Sequence, residues 1–488
     1  MEAQEWFPDS GSEAAAFDEM TLAGGRPRPL YRRLHRSLER VGRAGLGRRQ
    51  VLARRAFRDQ GVTFTVTRGA GDREKLFPFD PIPRIIDEAT WAGVDAGLRQ
   101  RVRALNHFLD DVYGRQLILR QGRVPADVVL SSTGFRRELM GLVRPDSLRA
   151  HVAGIDLVRD VDGTFLVLED NLRTPSGMSY LLANRRVEKR VFPELFAGYD
   201  VRPVEEVGHR LVSLLRGLAA PRVADPTVVV LTPGTFNSAY FEHLYLAKQM
   251  GVELVVGSDL IVDDGRVWMR TTTGPRPVHV IYRRMDDEFL DPVHGRADSV
   301  IGVPGLIGAH VAGNVILANG LGNGVADDKA VYAFVPEMIR YYLGEEPVLP
   351  NVPTYLCQRA GDLDHVLQNL PRLVVKTVAG SGGYGMLIGP ASTAAQRDRM
   401  ARRIRARPRD FIAQPVINLS MQAALVDGRL ASRHQDLRPF VLSGPDPWVT
   451  PGGLTRVALR AGSLVVNSSQ GGGSRDTWVV RGRDAAAQ

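Results

Sequence analysis

Lysine is almost missing from this chain of 488 residues. Five lysines (Lys75, Lys189, Lys248, Lys329 and Lys376) stand against fifty-eight arginines. Where any positive charge suffices, arginine has replaced lysine, so a surviving lysine is a candidate for work that a planar guanidinium does badly, such as touching a phosphate oxygen end-on. Cysteine is scarcer still. Cys357 stands alone, which excludes an internal disulfide and fits a reducing compartment; its expected state is a small buried hydrophobe. No apolar run approaches the roughly 20 residues that span a bilayer. Met1 to Ser10 carry neither the basic nor the apolar stretch of a secretion signal. A cytoplasmic protein without membrane attachment is therefore expected. Nor does any segment repeat at a fixed period, which argues against a solenoid.

Aromatic residues are sparse in the two arginine blocks that supply much of the net charge of +9. Residues 26–58 hold twelve arginines and residues 397–409 hold seven. Without base-stacking platforms, these blocks read as solvated helical faces, not as a nucleic-acid surface. An arginine-rich nucleic-acid binder stays open as an alternative, and its affinity would fall steeply with salt and ignore ATP.

What the chain does contain is globular: 44% apolar and 24% charged residues, enough for two to four packed units. Residues 1–25 are acidic, small and irregular and read as a loose N-terminus. Residues 28–60 read as a basic helix. In 96–113, Leu98, Val102, Leu105, Leu109 and Val112 mark one helix face, stopped by Gly114. Residues 152–171 read as a β-hairpin broken at Asp162-Gly163. From 227 to 320, strands at 228–231, 254–256 and 278–281 alternate with a helix at 239–250, which predicts an α/β unit with a parallel sheet. After Lys329 a helix to about Tyr342 is expected, then strands near 373–376, 386–388 and 411–417. Of these, 411–416 reads as an edge strand.

Two stretches carry chemistry. In the hairpin, a two-residue turn at Asp162-Gly163 places Asp156 directly opposite Glu169, with Asn171 on the same face and Gly154 opposite it. Opposed carboxylates roughly 5 Å apart repel unless something positive lies between them. A hard cation such as Mg²⁺ fits, taking carboxylate oxygens and completing its shell with phosphate and water. An exposed hairpin bearing ordinary surface acids is the alternative, but these acids are embedded among leucines and valines. The second stretch is Leu373-Val374-Val375-Lys376 followed by Gly380-Ser381-Gly382-Gly383-Tyr384-Gly385. Strand-type residues at 386–388 follow, where a dinucleotide fold needs a helix. No lysine follows the loop, as a kinase requires, and none follows a glycine, as a Walker loop requires. What remains is strand, lysine, loop and strand, with loop N–H groups folding over phosphates.

Together these pieces resemble the ATP-grasp superfamily. The matching residues are Asp328-Lys329; Lys376 with Gly382-Gly383; Gln414; Asp436 to Arg438; Arg456; Asn467 with Gly471-Gly472; and Asp156, Glu169, Asn171, Pro175 and Gly177. The metal segment precedes the lysine loop, which resembles the circularly permuted ATP-grasp proteins, relatives of glutathionylspermidine synthetase-like ligases. Here the usual Glu-x-Asn-x-x-Pro-Gly is stretched by two residues ahead of the glycine, from Glu169 to Gly177. The resemblance implies an α/β, permuted ATP-grasp fold in four parts. These are a basic helical extension (1–60), a metal-binding half (61–222), a Rossmann-like substrate-side domain (223–320) and an ATP-binding half (321–488). It also implies ATP with two Mg²⁺, held by Asp156, Glu169 and Asn171. Lys329 and Lys376 would meet the α- and β-phosphates, Ser381, Gly382 and Gly383 would cover them, and Gln414 would hold adenine. Arg438 and Arg456 would steady the transferring phosphoryl group. The implied activity is a ligase joining a small-molecule or peptide carboxylate to an amine or thiol through an acylphosphate. An ATP-binding scaffold without catalysis is the second alternative.

Overall fold

A computed structural model of the chain describes residues 16–68, 71–142, 148–220, 222–380, 385–466 and 472–482. The acidic hairpin lies within its largest sheet. Strands Val152–Arg159 and Phe165–Asn171 pair antiparallel. The turn is not the expected two-residue type. Asp160 N donates to Thr164 O, Thr164 N donates to the Asp162 side chain, and Gly163 takes a φ of 88°, so the loop runs through 160–164. Pairing therefore begins at Arg159–Phe165, one residue out of the expected register. A bulge at Leu168 restores it, and Asp156 opposes Glu169 while Gly154 opposes Asn171.

The first hairpin strand has its hairpin partner on one side and, on the other, Arg429–Arg438 and Phe440–Leu442 in one register on either side of Pro439, and the sheet continues from Arg429–Arg438 through Leu454–Val457 to Gly473–Arg475. This pairing delivers Asp436, Arg438 and Arg456 beside the hairpin from far along the chain.

A second sheet is parallel throughout, in the order Ile316–Ala318, Val280–Arg283, Val228–Leu231, Glu253–Val255. Its alternation explains the uninterrupted valine run. Val228 and Val230 enter one core with helices Val207–Ala219 and Tyr240–Met250, whereas Val229 and Leu231 enter another on the opposite face. The predicted stripe on helix Glu88–Tyr113 is fully buried in that second core, and Asp87 caps the helix by accepting from Thr90 N.

The third sheet runs Tyr355–Leu356, Phe411–Pro415, Leu373–Thr377, Leu387–Ile388, all antiparallel. Phe411–Pro415 is thus interior, not the expected edge. Its outer neighbour pairs only with Ala413 and Ile412, so the N–H that Pro415 lacks is never asked for. Cys357 is buried in the core beneath this sheet. The helix after Lys329 is also two pieces, Lys329–Tyr332 and Val335–Leu343, with Pro336 in the first turn of the second.

The described part of the N-terminus, 16–25, is not loose. Asp18 bridges to Met421, and Glu19 is buried against Arg84 (2.9 Å), Arg159 (3.4 Å) and the Ser420 hydroxyl. Burial pushes the Glu19 carboxyl up, but the two arginines outweigh it and hold the pKa at about 2. These partners lie 65 to 401 residues downstream, so local composition could not announce them. Among the described residues no helix is long and apolar enough to cross a membrane.

Candidate active site

The two-residue strand period sends Leu373 and Val375 into the core and turns Val374 and Lys376 to the other face. That face looks across a cleft of about 150 Å³ at the acidic hairpin. Asp156, Glu169, Lys329, Lys376, Gln414 and Arg456 all line this one cleft, and Val158, Leu168, Ile388, Ile417, Leu419 and Val466 give it apolar walls.

Lys376 Nζ donates to Gln414 Oε1 at 2.8 Å, and Gln414 Nε2 donates to Thr354 Oγ1 at 3.0 Å. Among the described residues no carboxylate lies within ion-pair distance of Lys376. Burial lowers its pKa; Glu169 pulls it back up, Lys329 pushes it down, and it settles at about 8. A half-buried ammonium held, among the described residues, by an amide oxygen and by no carboxylate is suited to receive an anion. Lys329 opens its short helix behind Asp328, whose carboxylate accepts from Ala330 N, from the Ser132 hydroxyl at 2.7 Å and from Arg409 at 2.7 Å. Arg409 therefore departs from the solvated face expected of its arginine block. Lys329 Nζ itself donates to Gly380 O at 2.6 Å and pairs with Glu169 Oε2 at 3.3 Å.

Asp156 is buried and doubly paired. Arg438 grips both its oxygens, through Nε and, at 2.7 Å, through Nη2; Arg456 Nη2 adds 2.7 Å. Burial alone would raise the Asp156 carboxyl, yet the two arginines hold it well below the usual carboxylate range. Arg456 also binds Asp436 at 2.9 Å through Nε. The positive charge that the opposed acids require is thus present within the chain, from Arg438 and Arg456 on Asp156 and Lys329 on Glu169.

The donor set also suits a divalent cation bound with phosphates. The Glu169 side chain is 24% exposed to the cleft side and meets Arg438 only at 3.8 Å. The Asn171 amide nitrogen is buried with no partner, so the amide is free to turn its oxygen outward. Asn171 lies in an adjoining recess that shares Glu169, Lys329 and Gly380 with the cleft. Among the described residues no three His, Cys, Asp or Glu side chains gather as ligands.

Ser381, Gly382, Gly383, Asn467 and Gly471 lie outside the described residues. Several contributors left no recognisable trace in the sequence. The apolar walls look like ordinary core, and Thr354 and Ser132 are single polar residues remote from every motif. Another is the clamp on the stretched loop. Gly177 N donates to Glu242 at 2.6 Å, as does the Ser179 hydroxyl at 3.0 Å. Arg284 donates to Glu242 at 2.7 Å and to Pro175 O at 2.9 Å. Arg438 Nη1 reaches Ser176 O at 3.2 Å. Gly177 has a φ of 122°, a conformation that side-chain-bearing residues avoid. The parallel-sheet unit thus holds the loop that touches Arg438.

An antiparallel sheet bearing a lysine, set across a cleft from a second sheet bearing paired acids and arginines, defines an ATP-grasp architecture with its halves in permuted order. The chain matches the model of the family described as circularly permuted ATP-grasp type 2 over residues 83–458, and it belongs to that family. It is 52% identical over 467 residues to an uncharacterized protein of Synechocystis sp., covering 96% of this chain and 97% of that one. It is 45% identical over 472 residues to a Frankia casuarinae protein provisionally named a glutamate–cysteine ligase, covering 96% of this chain but 54% of that protein. In structure it is similar to a glutathione synthetase-like effector of Globodera pallida in its apo form. The TM-score is 0.54 at 11% identity, over 89% of this chain and 96% of that one, a likeness of fold alone.

Proposed function

We propose that this protein is an ATP-dependent ligase that joins a small-molecule or peptide carboxylate to an amine or thiol, releasing ADP and phosphate. One observation carries the reading: Glu169 of the hairpin pairs with Lys329, and both line one cleft with Lys376. In this reading residues 61–222 bring the metal grips, 321–488 the nucleotide grips and 223–320 the substrate side, in the cytoplasm. The provisional name of the Frankia relative supports a ligase. This chain spans about half of that protein, so its substrates do not transfer with the name.

Glu169, Asn171 and an oxygen of Asp156 would hold Mg²⁺, which supplies charge neutralisation on the phosphate oxygens. Lys329 and Lys376 would bind the α- and β-phosphates. Ser381, Gly382 and Gly383 would close over them and exclude water. Gln414 would orient adenine between the apolar walls. Arg438 and Arg456, already aimed at Asp156, would share their free donors with the transferring phosphoryl group, where preorganised charge lowers the barrier. The substrate carboxylate oxygen attacks the γ-phosphorus; the bond to ADP breaks and an acylphosphate forms. The amine then attacks the acyl carbon, phosphate leaves with the former carboxylate oxygen, and the amine's proton passes to solvent. The Pro175–Gly177 loop, fixed by Glu242 and Arg284, would position the acyl group in line.

The test is an ADP-release screen over carboxylate and amine pairs with Mg²⁺, with product masses recorded. We expect ADP release only with a matched pair, and a product of the summed mass less one water. ATP binding without ADP release from any pair would favour the non-catalytic scaffold.

A further inference from the structure

Eight arginines are buried among the described residues, and seven of them meet a carboxylate. The pairs are Arg84–Glu19, Arg101–Asp170, Arg185–Asp476, Arg283–Asp287, Arg284–Glu242, Arg456–Asp156 and Arg475–Asp80. Arg149 is the eighth. It is 3% exposed, yet no described carboxylate lies within ion-pair distance. Its Nη2 donates to Leu321 O at 2.7 Å and its guanidinium lies 4.6 Å from the centre of the Tyr113 ring. Its Nε and Nη1 have no partner among the described residues. A buried guanidinium left this way is costly, and proteins rarely leave one unpaired.

Arg149 lines a cavity of about 250 Å³, space on the order of eight water molecules. The cavity shares no lining residue with the ATP-grasp cleft. Beside Arg149 is His151, also 3% exposed, whose Nδ1 has no partner among the described residues. Arg222, exposed and donating to Gly313 O at 2.8 Å, and His310 also line the cavity, and most of the remaining wall is aliphatic, including Leu139, Leu218, Leu317 and Leu321. The backbone fixes Arg149 independently of its side chain. Its N–H donates to Asn106 Oδ1, and its carbonyl accepts from Gly320 N and Asn323 Nδ2. The unmet donors are therefore not a by-product of a side chain searching for a place.

We propose that this cavity is a second ligand site, for a small organic carboxylate whose charged end meets Arg149 and whose aliphatic body packs against the leucines. Arg149 is the one arginine buried in this lining, whereas Arg222 is solvent-exposed; a single buried charge balances one negative charge, which favours a carboxylate over a doubly charged phosphate. The guanidinium fork matches a carboxylate in two parallel hydrogen bonds. Burial lowers the pKa of His151 to about 3, so this ring is neutral and adds a hydrogen-bonding atom without a second charge. The site is placed to influence the other cleft. Arg149 stands just ahead of the strand Val152–Arg159, which carries Asp156 up to roughly 23 Å further along.

The probes are hexanoate, acetate and inorganic phosphate, titrated into the full chain by ligand-observed NMR and followed by thermal unfolding. We expect hexanoate to bind saturably at one site and to raise Tm, at least tenfold more tightly than acetate, with phosphate no better than acetate. Arg149→Met removes the charge and Leu218→Trp narrows the cavity with the arginine left in place. Each should weaken hexanoate at least tenfold while the affinity for MgATP stays within twofold. In the absence of probe, Arg149→Met should not lower Tm, because it removes an uncompensated buried charge. If hexanoate fails to saturate the unaltered chain, or binds both variants as well as it, the site does not exist; tighter binding of phosphate overturns the ligand class.

Discussion

Lys329 Nζ and the Glu169 carboxylate lie 3.3 Å apart, one at the start of a short helix and the other on the acidic hairpin. The pair couples the two halves of the cleft, and it leaves Glu169 with oxygen to spare. Removing that carboxylate by Glu169→Ala should cut ADP formation with a matched substrate pair at least about 100-fold, the scale on which loss of one transition-state contact is felt. The side chain is partly exposed, so the variant should keep its stability to within about 1 kcal/mol. Coupled-assay rates and chemical denaturation of the same preparation check both halves of the expectation.

Lys376 gives the cleft a pH dependence. Burial brings its pKa down from the ordinary lysine range to about 8. In the folded, nucleotide-free chain the protonated amine is therefore disfavoured. This destabilisation is fully present below pH 8 and is relieved as the pH rises towards 10.5, where the unfolded lysine titrates. Nucleotide binding needs the ammonium, so ATP affinity should fall above pH 8, by roughly tenfold per unit. Lys376→Met should flatten both trends relative to the unaltered chain, read by titration calorimetry and by urea unfolding across pH 7 to 10.

The Glu242–Arg284 clamp acts at a distance. Glu242→Gln keeps the shape but loses the charge that holds Arg284 and the Gly177 amide. The Pro175–Gly177 loop should loosen, and kcat should fall about 10- to 100-fold, as expected when positioning is lost. ATP affinity should be unchanged, because no part of the clamp lines the cleft. A change in ATP affinity as large as the change in kcat would mean that the clamp supports the whole cleft and not only the loop.

Glu19 ties the N-terminal segment to the large sheet. With its pKa held at about 2 against an unfolded value of 4.5, it contributes stability that is present above pH 4.5 and lost as the pH falls towards 2. Breaking this buried pairing by Glu19→Gln should cost about 3 kcal/mol at pH 7. The gap between variant and unaltered chain should close between pH 4.5 and 2, measured by denaturant unfolding at a series of pH values.

The legible parts of this fold were those that repeat locally. The valine run at 228–231, the apolar stripe on Glu88–Tyr113 and the strand before Lys376 follow directly from periods of two and 3.6. The opposition of Asp156 and Glu169 was legible for an incomplete reason. The turn is three residues longer than its Asp-Gly signal suggests, and the bulge at Leu168 shifts the register back. The interior position of Phe411–Pro415 was hidden, since Tyr355–Leu356 is too short to read as a strand. So were Arg409 on Asp328 and Glu19 on Arg84, because an ion pair between distant residues has no period and each partner alone resembles surface charge.

The most direct measurement is calorimetric titration of ATP, with and without Mg²⁺, into the unaltered chain and into Glu169→Ala and Lys376→Met. The account predicts one nucleotide bound per chain, tighter with Mg²⁺. The metal-dependent gain should vanish in Glu169→Ala, and affinity should fall at least tenfold in Lys376→Met. If all three proteins bind ATP alike, or if the unaltered chain binds none, the acids and the lysines do not share a nucleotide.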